Sequence, residues 1–541
     1  MEFDCQPLAA IPRTSKLFSA FLENFQEVQK FYGHSPDDAG VQAAAREVRL
    51  DEKVRAAVVS VLREQNAGVA GGGGAIDPTV AKNIDRLKTG AAAVVTGQQV
   101  GLFGGPAYSF YKALSAIRWA EKLTASGTPA VPVFWLATED HDAAEVDHCF
   151  WTTGEGIERL AVPADPKFAG RLTGEIPLGG DIDALVKRAN AELIGSGATE
   201  IKKILQESYT SAETFGSAFA KMMARVLAGR GLILLDPRDP RLHRIAAPVL
   251  ARAIQESAEL REALAERGKA LGKAGFHVQV KVPGEGTLLF MQQDGRREAI
   301  RASGEKLKVG KKFYTRADLL KKLEAEPELF TPSALLRPVV QDALLPTAAY
   351  VAGPAEVAYY AQTEVLYRRI SGRMPAILPR ASFTIVEPHV KRLLQRYKMG
   401  LRDIFEGRQA VRAALAKGSL PSGMGRRFAA DERDLRRSLE KYRGPLGKLD
   451  KTLVGALETA QRKMVYQMTR LKIKAGRAEG FRKGVIERHE RILMESLLPE
   501  KALQEREICL LPIVARYGME LVDRLYERAA ETPAKHCVVT L

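Results

Sequence analysis

The densest cluster of reactive side chains lies in "PVFWLATEDHDAAEVDH", where an apolar run leads at once into Glu139, Asp140, His141, Asp142, Glu145 and His148. Carboxylates and an imidazole placed just past a buried strand can move protons, hold an ammonium group or bind a metal. If a helix starts near Glu139, then His141, Glu145 and His148 fall on one face at i, i+4 and i+7, which makes them candidate metal ligands. The plainer reading is a helix start enriched in acids for dipole reasons. So many ionisable groups directly after an apolar strand favour the active-site reading, with Asp140, His141 and Asp142 doing base and orienting work and Glu139 beside the substrate.

A second stretch, "TGQQVGLFGGPAYSFYK", follows the apolar run "AAAVV" and precedes a helical pattern. A strand, a Gly-rich turn and a helix start together suggest backbone N–H groups that can cradle an anion, with glycines allowing close approach. The stretch lacks the Lys-Ser/Thr pair of the P-loop and the glycine spacing of the dinucleotide fingerprint. Gly97, Gln98, Gln99, Gly104, Gly105, Tyr108 and Lys112 are its candidate substrate- or anion-binding residues.

Two later stretches have the same character. In "AYVAGPAEVAYYAQ" a strand, a Gly-Pro turn and a helix place Gly353 and Glu356 at another strand end, and in "PAILPRASFTIVE" Arg380 and Ser382 come where a strand leaves the core. An arginine there can clamp a carboxylate or phosphate with two parallel bonds. Arg337, Gln341 and Asp342 read equally as a buried hydrogen-bond network or as a binding group.

The elements that must position these residues alternate: strand "AAAVVT" and helix "AYSFYKALSAIRWAEKL", strand "AVPVFWLA" and a helix from "TEDHDAAEVDH", then strand "GLILLDP" and a long helix. That alternation predicts an α/β fold with a parallel sheet, whose ligands gather outside the carboxyl ends of the strands. "FHVQV", "GTLLFMQQDG" and "AIRASGEKLKVGKKFYT" read as antiparallel hairpins of an insertion. "NAGVAGGGGAIDP" reads as a flexible break among the helices of the first 90 residues. From Leu435 to Leu471, apolar residues including Tyr442, Leu449, Leu453 and Met464 recur at alternating steps of mostly three and four, the seam of a coiled coil. An antiparallel hairpin is expected, with a first helix ending at Gly418 before "SLPSGMG" and a kink at Gly444 and Pro445 in the second. The domains expected are a core over residues 1–385, with insertions near 155–225 and 265–335, a coiled coil over 386–500, and a C-terminal helical segment over 501–541 that packs back on the core.

At 541 residues, with 46% hydrophobic and 27% charged, the chain is long enough for more than one core. No apolar stretch has the length of a membrane span, and a cytoplasmic protein without a membrane partner is expected. Cys5, Cys149, Cys509 and Cys537 show no disulfide-framework or metal spacing, which fits a reducing compartment. The formal net charge of +16 would attract polyanions. The aromatic interleaving of single-strand binders is absent, so nucleic acid is not an expected partner.

These stretches resemble a family, the bacillithiol-biosynthesis cysteine ligases BshC. The likeness runs nearly end to end, through "SKLF", "FYGHSP", "VVTGQQVGLFGGPAYSFYK", "PVFWLATEDHDAAEVDH", "LLRPVVQDALLPTAAYVAGPAEVAYYAQ", "LPRASFTIVE" and "LQEREICLLPIVARYG". The resemblance implies a Rossmann-like parallel-sheet core with inserted segments, related to class I aminoacyl-tRNA synthetases, plus a long α-helical coiled coil used for homodimerisation. It implies the addition of L-cysteine to the glucosamine amine of glucosaminyl-malate as the last step to bacillithiol, and an adenine nucleotide, ATP or ADP, bound near the coil. Where such synthetases carry a His-rich signature, this sequence has glutamines, so the loop is as apt to hold malyl carboxylates or cysteine as ATP phosphates. The competing reading is a non-catalytic or tRNA-associated protein with a degenerate synthetase-like core, and the strand-end clusters argue against it.

Overall fold

The computed structural model describes the chain except residues 13, 70–74, 155, 419–421, 483 and 532–533. The run Gly71–Gly74, expected to be a flexible break, lies outside the described residues. The chain divides into two compact units, one of residues 4–383 and 505–537, the other of residues 1–3, 384–504 and 538–541. Among the described residues no helix is long and apolar enough to cross a membrane.

The larger unit is built on five parallel strands, β1 (Ala92–Gln98), β2 (Ala130–Leu136), β3 (Ile233–Leu235), β4 (Thr347–Ala352) and β5 (Ala376–Pro379), in the order β5-β4-β1-β2-β3. Both faces are covered, so the strands read as unbroken apolar runs rather than as alternation. Small side chains set the spacing at the centre, where Ala92, Ala348 and Ala349 are buried with Trp119 and Leu123 of the helix Tyr108–Ala125. Gly97 pairs with Trp135, and a Cβ there would lie 2.7 Å from the Trp135 carbonyl oxygen. The chain runs from the central strand outward to β3, then returns to the other side of β1 through β4, so the strand order reverses between β1 and β4 while every strand stays parallel.

Between β2 and β3 lie the antiparallel pair His148–Thr152 and Ile157–Ala161 and the helices Asp181–Ala191, Ala198–Ser208 and Phe215–Val226. Between β3 and β4 an antiparallel sheet runs in the order Lys312–Tyr314, Lys306–Val309, Arg296–Ser303, Gly286–Gln293, Phe330–Pro332. The hairpin expectation holds there except for "FHVQV", which is not a strand: residues 276–280 are irregular, and Val280 is fixed instead by a hydrogen bond from its N–H to Gln362 Oε1 at 2.8 Å.

The smaller unit is helical, with a core that includes Val390, Ile404, Val411, Leu415, Leu493 and Leu497. Gly400 and Gly407 divide the expected first helix into Pro388–Tyr397, Leu401–Phe405 and Arg408–Gly418. The break expected at "SLPSGMG" falls on residues 419–421, which lie outside the described residues. Ser422–Glu440 and Arg408–Gly418 both pack against the 31-residue helix Thr452–Arg482, and the chain reverses around the short helix Arg443–Leu449, where Gly444 and Pro445 forbid a continuous helix. Arg443 Nη2 reaches Glu458 across this turn at 3.2 Å.

Cys5 and Cys537 form a disulfide, which corrects the expectation of free thiols. The strands Glu2–Pro7 and Lys535–Thr540 that carry them are neighbours in a three-stranded sheet, a pairing across 532 residues that no local spacing reveals. Cys149 and Cys509 are free and buried.

Candidate active site

Where the strand order reverses, a cleft of about 350 Å³ opens at the carboxyl ends of the strands, the place in open α/β sheets where ligands bind. Four strand ends supply its walls: Gly97, Gln98 and Gln99 from β1; Trp135, Ala137 and Asp140 from β2; Gly353 and Glu356 from β4; Arg380 from β5. Tyr108, Lys112, Glu145, Arg337, Tyr350, Tyr359 and Arg506 complete it.

A buried clamp holds the floor. Lys112 Nζ donates to Gly97 O at 2.8 Å and Gln98 Oε1 at 2.9 Å and lies 2.5 Å from Glu356 Oε2. Glu356 also accepts from the Gly353 N–H at 2.7 Å and the Tyr350 hydroxyl at 2.8 Å. Burial works against ionisation of Glu356, but Lys112 and these bonds outweigh it and hold its carboxyl below the usual range. With all three ammonium donors engaged, Lys112 fixes the β1 end to the helix Pro354–Ile370.

Arg380 is likewise committed, through Nη2 to Glu505 Oε1 at 2.7 Å and Nη1 to Ala381 O at 2.8 Å. Ser382 does not line the cleft: its hydroxyl donates to Glu505 Oε1 at 2.9 Å and lies 2.8 Å from His536 Nδ1, all buried. The network reading of Arg337 is met by bonds to Gln341 Oε1 at 3.0 Å and the Tyr359 hydroxyl at 3.1 Å, yet Arg337 also lines the cleft. Neither Arg337 nor Arg506 has a carboxylate partner among the described residues. Two cations of this site are therefore neutralised and two are not.

Asp140 accepts from Gln99 Nε2 at 2.8 Å and from the His141 N–H at 2.7 Å. Burial opposes its ionisation, but the hydrogen bonds of His141 and Gln99, with Arg297 nearby, hold the carboxyl far below the usual range. Such a group is a permanent anion, suited to orienting an ammonium and too acidic for an efficient base at neutral pH. His141 turns toward the inserted sheet, its Nδ1 3.1 Å from Arg297 Nη1 and its ring 5.8 Å from that of Phe290. The same Nδ1 lies 3.4 Å from Asp140 Oδ1, so it stands between a donor and an acceptor, and its tautomer sets which of the two it bonds. Asp142 is exposed and caps its own turn through the Ala144 N–H at 3.2 Å. Glu139 is buried against His243, with Oε1 3.0 Å from Nε2.

The helical face proposed for a metal does not form. "TEDHDAAEVDH" is a turn, a single 3-10 turn at Ala143–Glu145 and the start of the strand His148–Thr152. Asp140 and Asp142 bond to nearby backbone N–H groups and so favour turns over helix. His148 pairs with Asp147 at 2.8 Å. Among the described residues no group of three or more His, Cys, Asp or Glu side chains is placed to hold a metal ion.

The second half of the Gly-rich loop is also not a cradle. Phe103 is buried against Trp151 and Tyr209, and Gly104, at φ +93°, could take no Cβ without coming 2.9 Å from the Phe110 ring. The N–H groups of Gly104, Gly105 and Ala107 are taken by the carbonyls of Gly101, Leu102 and Ile508. Gly104 and Gly105 form a buried turn whose N–H groups are not open to an anion. Sequence reasoning missed Trp135, Tyr350, Tyr359 and Arg506 as wall residues. Trp135 ends the strand already read as pointing at the site, whereas nothing local to "LQEREICLL" places Arg506 here.

Residues 1–381 match the family described as "Bacillithiol biosynthesis BshC, N-terminal Rossmann-like domain" and residues 383–541 its "C-terminal coiled-coil domain". A protein of Koribacter versatilis named "Putative cysteine ligase BshC" is 42% identical over 99% of both chains. Proteins of the same name from Solibacter usitatus and Chlorobaculum tepidum are 34% and 32% identical, over 97% and 87% of this chain and 97% and 86% of their own. With matches along its whole length, the chain belongs to the BshC family of bacillithiol biosynthesis.

Proposed function

We propose that the protein joins the carboxyl group of L-cysteine to the glucosamine amine of glucosaminyl-malate, completing bacillithiol. The observation that carries this reading is one cleft with two guanidinium groups, of Arg337 and Arg506, free of carboxylate partners, together with the permanently ionised Asp140. A malyl group offers a carboxylate to Arg506, the carboxyl of cysteine suits Arg337, and its ammonium suits Asp140. Glu145, at the cleft without an ion-pair partner among the described residues, is the acceptor for the glucosamine amine's proton. A free carboxylate is a poor electrophile, so ATP would activate the cysteine carboxyl, either as an acyl phosphate with ADP and then phosphate leaving, or as an acyl adenylate with pyrophosphate and then AMP leaving.

The coiled coil makes a homodimer in this reading. Tyr442, Leu449, Met464 and Leu471, 45% to 78% exposed, belong to the apolar seam and are left open by the described residues. Chemistry on a free thiol belongs in the cytoplasm, although the Cys5–Cys537 disulfide runs against that placement.

The test is to supply purified protein with L-cysteine and glucosaminyl-malate, with and without ATP, and follow products by mass spectrometry. A product equal to the two substrates less one water, lost in Asp140→Asn, supports the reading. Absence of that product under every combination overturns it.

A further inference from the structure

A second compartment of about 490 Å³ adjoins the cleft and shares Trp135, Ala137, Asp140 and Arg337 with it. Its walls come from the inserted antiparallel sheet and the segments beside it and are largely aliphatic: Leu288, Leu289, Ala299, Ile300 and Leu335, with Phe290. The other charged groups near the shared wall are occupied. Arg297 stacks on Phe290 at 3.8 Å, donates to Thr331 Oγ1 at 2.8 Å and Pro332 O at 2.7 Å, and lies 3.9 Å from Asp140 Oδ1, and Glu139 is held by His243. One carboxylate, Asp140, and one guanidinium, Arg337, line both compartments where they meet. The wall is also shaped at a cost: Leu288 takes φ +64° where the strand register shifts between Gly286 and Phe290. Such irregularities re-aim side chains beside binding sites.

We propose that this compartment holds the amino-acid reactant, its ammonium at Asp140, its carboxyl beside Arg337 and its side chain against the aliphatic wall. This rests on the ligase reading and adds to it a division of labour: the anionic sugar occupies the cationic cleft, the amino acid the apolar compartment, and the two meet at Asp140 and Arg337. A thiol, which is apolar and polarisable, suits a wall of leucines and one phenylalanine. The compartment has room for the amino acid with an activating group on its carboxyl, and Lys281 and Arg301 line it.

Two filling variants on different elements test this: Ala299→Trp on the strand Arg296–Ser303, and Ala334→Trp in the segment before the helix Arg337–Leu344. Both positions line the compartment and neither lines the cleft. Titration calorimetry with L-cysteine and, separately, with glucosaminyl-malate is run on the full chain, folding being checked by thermal melts. The expected result is cysteine affinity lowered about tenfold or more in either folded variant, with glucosaminyl-malate affinity held within about twofold. Cysteine affinity unchanged in a folded variant overturns the assignment and leaves the ligase reading standing. Equal loss for both ligands overturns the division of the site. A wild-type protein that binds neither overturns both.

Discussion

The Gln99 side-chain amide donates to the Asp140 carboxylate at 2.8 Å, tying the end of β1 to the turn that follows β2. Asp140 therefore sits where two adjacent strands of the sheet deliver donors to it, from Gln99 and from the His141 backbone. Asparagine has the same shape but no charge, and one of its polar atoms would face a donor with a donor. Asp140→Asn is expected to lower kcat/KM about a hundredfold or more and stability by about 1–3 kcal/mol. Steady-state kinetics and urea unfolding read the two effects separately.

Glu145 contrasts with Asp140 in being exposed. Its replacement leaves no buried group unpaired, so Glu145→Gln is expected to keep the melting temperature while kcat falls about a hundredfold or more. Unchanged kcat would remove Glu145 as the proton acceptor.

Stability should depend on the Glu139–His243 pair. Burial pushes the His243 imidazole down, but the hydrogen bond and charge of Glu139 outweigh it, so the folded-state value is raised. A raised value stabilises the fold fully below the unfolded histidine value of about 6.5, and the contribution is lost as pH rises through the folded value. The melting-temperature advantage of the wild type over His243→Gln should thus be greatest near about pH 6 and shrink toward about pH 9. An advantage that grows with pH would contradict the pairing.

Leu449 is 78% and Leu471 59% exposed, so charge placed there does not disturb a core. The double variant Leu449→Asp, Leu471→Asp is expected to give monomers of unchanged helicity where the wild type is a dimer. Light scattering with circular dichroism decides it, and a wild-type mass of one chain would exclude the dimer.

The parallel sheet was legible because strands buried on both faces leave continuous apolar runs, and the cleft followed because ligands collect at strand ends. Gln98, Gln99, Asp140, Gly353, Glu356 and Arg380 meet there as those rules place them. The errors share one cause, which is that local patterns do not show what surrounds them. Glycines at 104 and 105 look the same whether their N–H groups face a ligand or, as here, carbonyls of the protein. Acids after a strand suggest a helix start, yet Asp140 and Asp142 turn the backbone instead. Arg506 and the Cys5–Cys537 pair depend on contacts across hundreds of residues, for which a single sequence carries no periodic signal.

The alanine-lined centre of the sheet leaves little freedom for innovation. Ala92, Ala348 and Ala349 are packed closely, and Gly97 has no room for even one methyl beside Trp135. Enlarging the alanines would press the covering helix off the sheet, and enlarging Gly97 would strain its pairing with Trp135, so neither simply reshapes the ligand space. The floor is thus a fixed reference surface, and new substrate preferences can arise only through the inserted segments that roof it, which change without moving the strand ends.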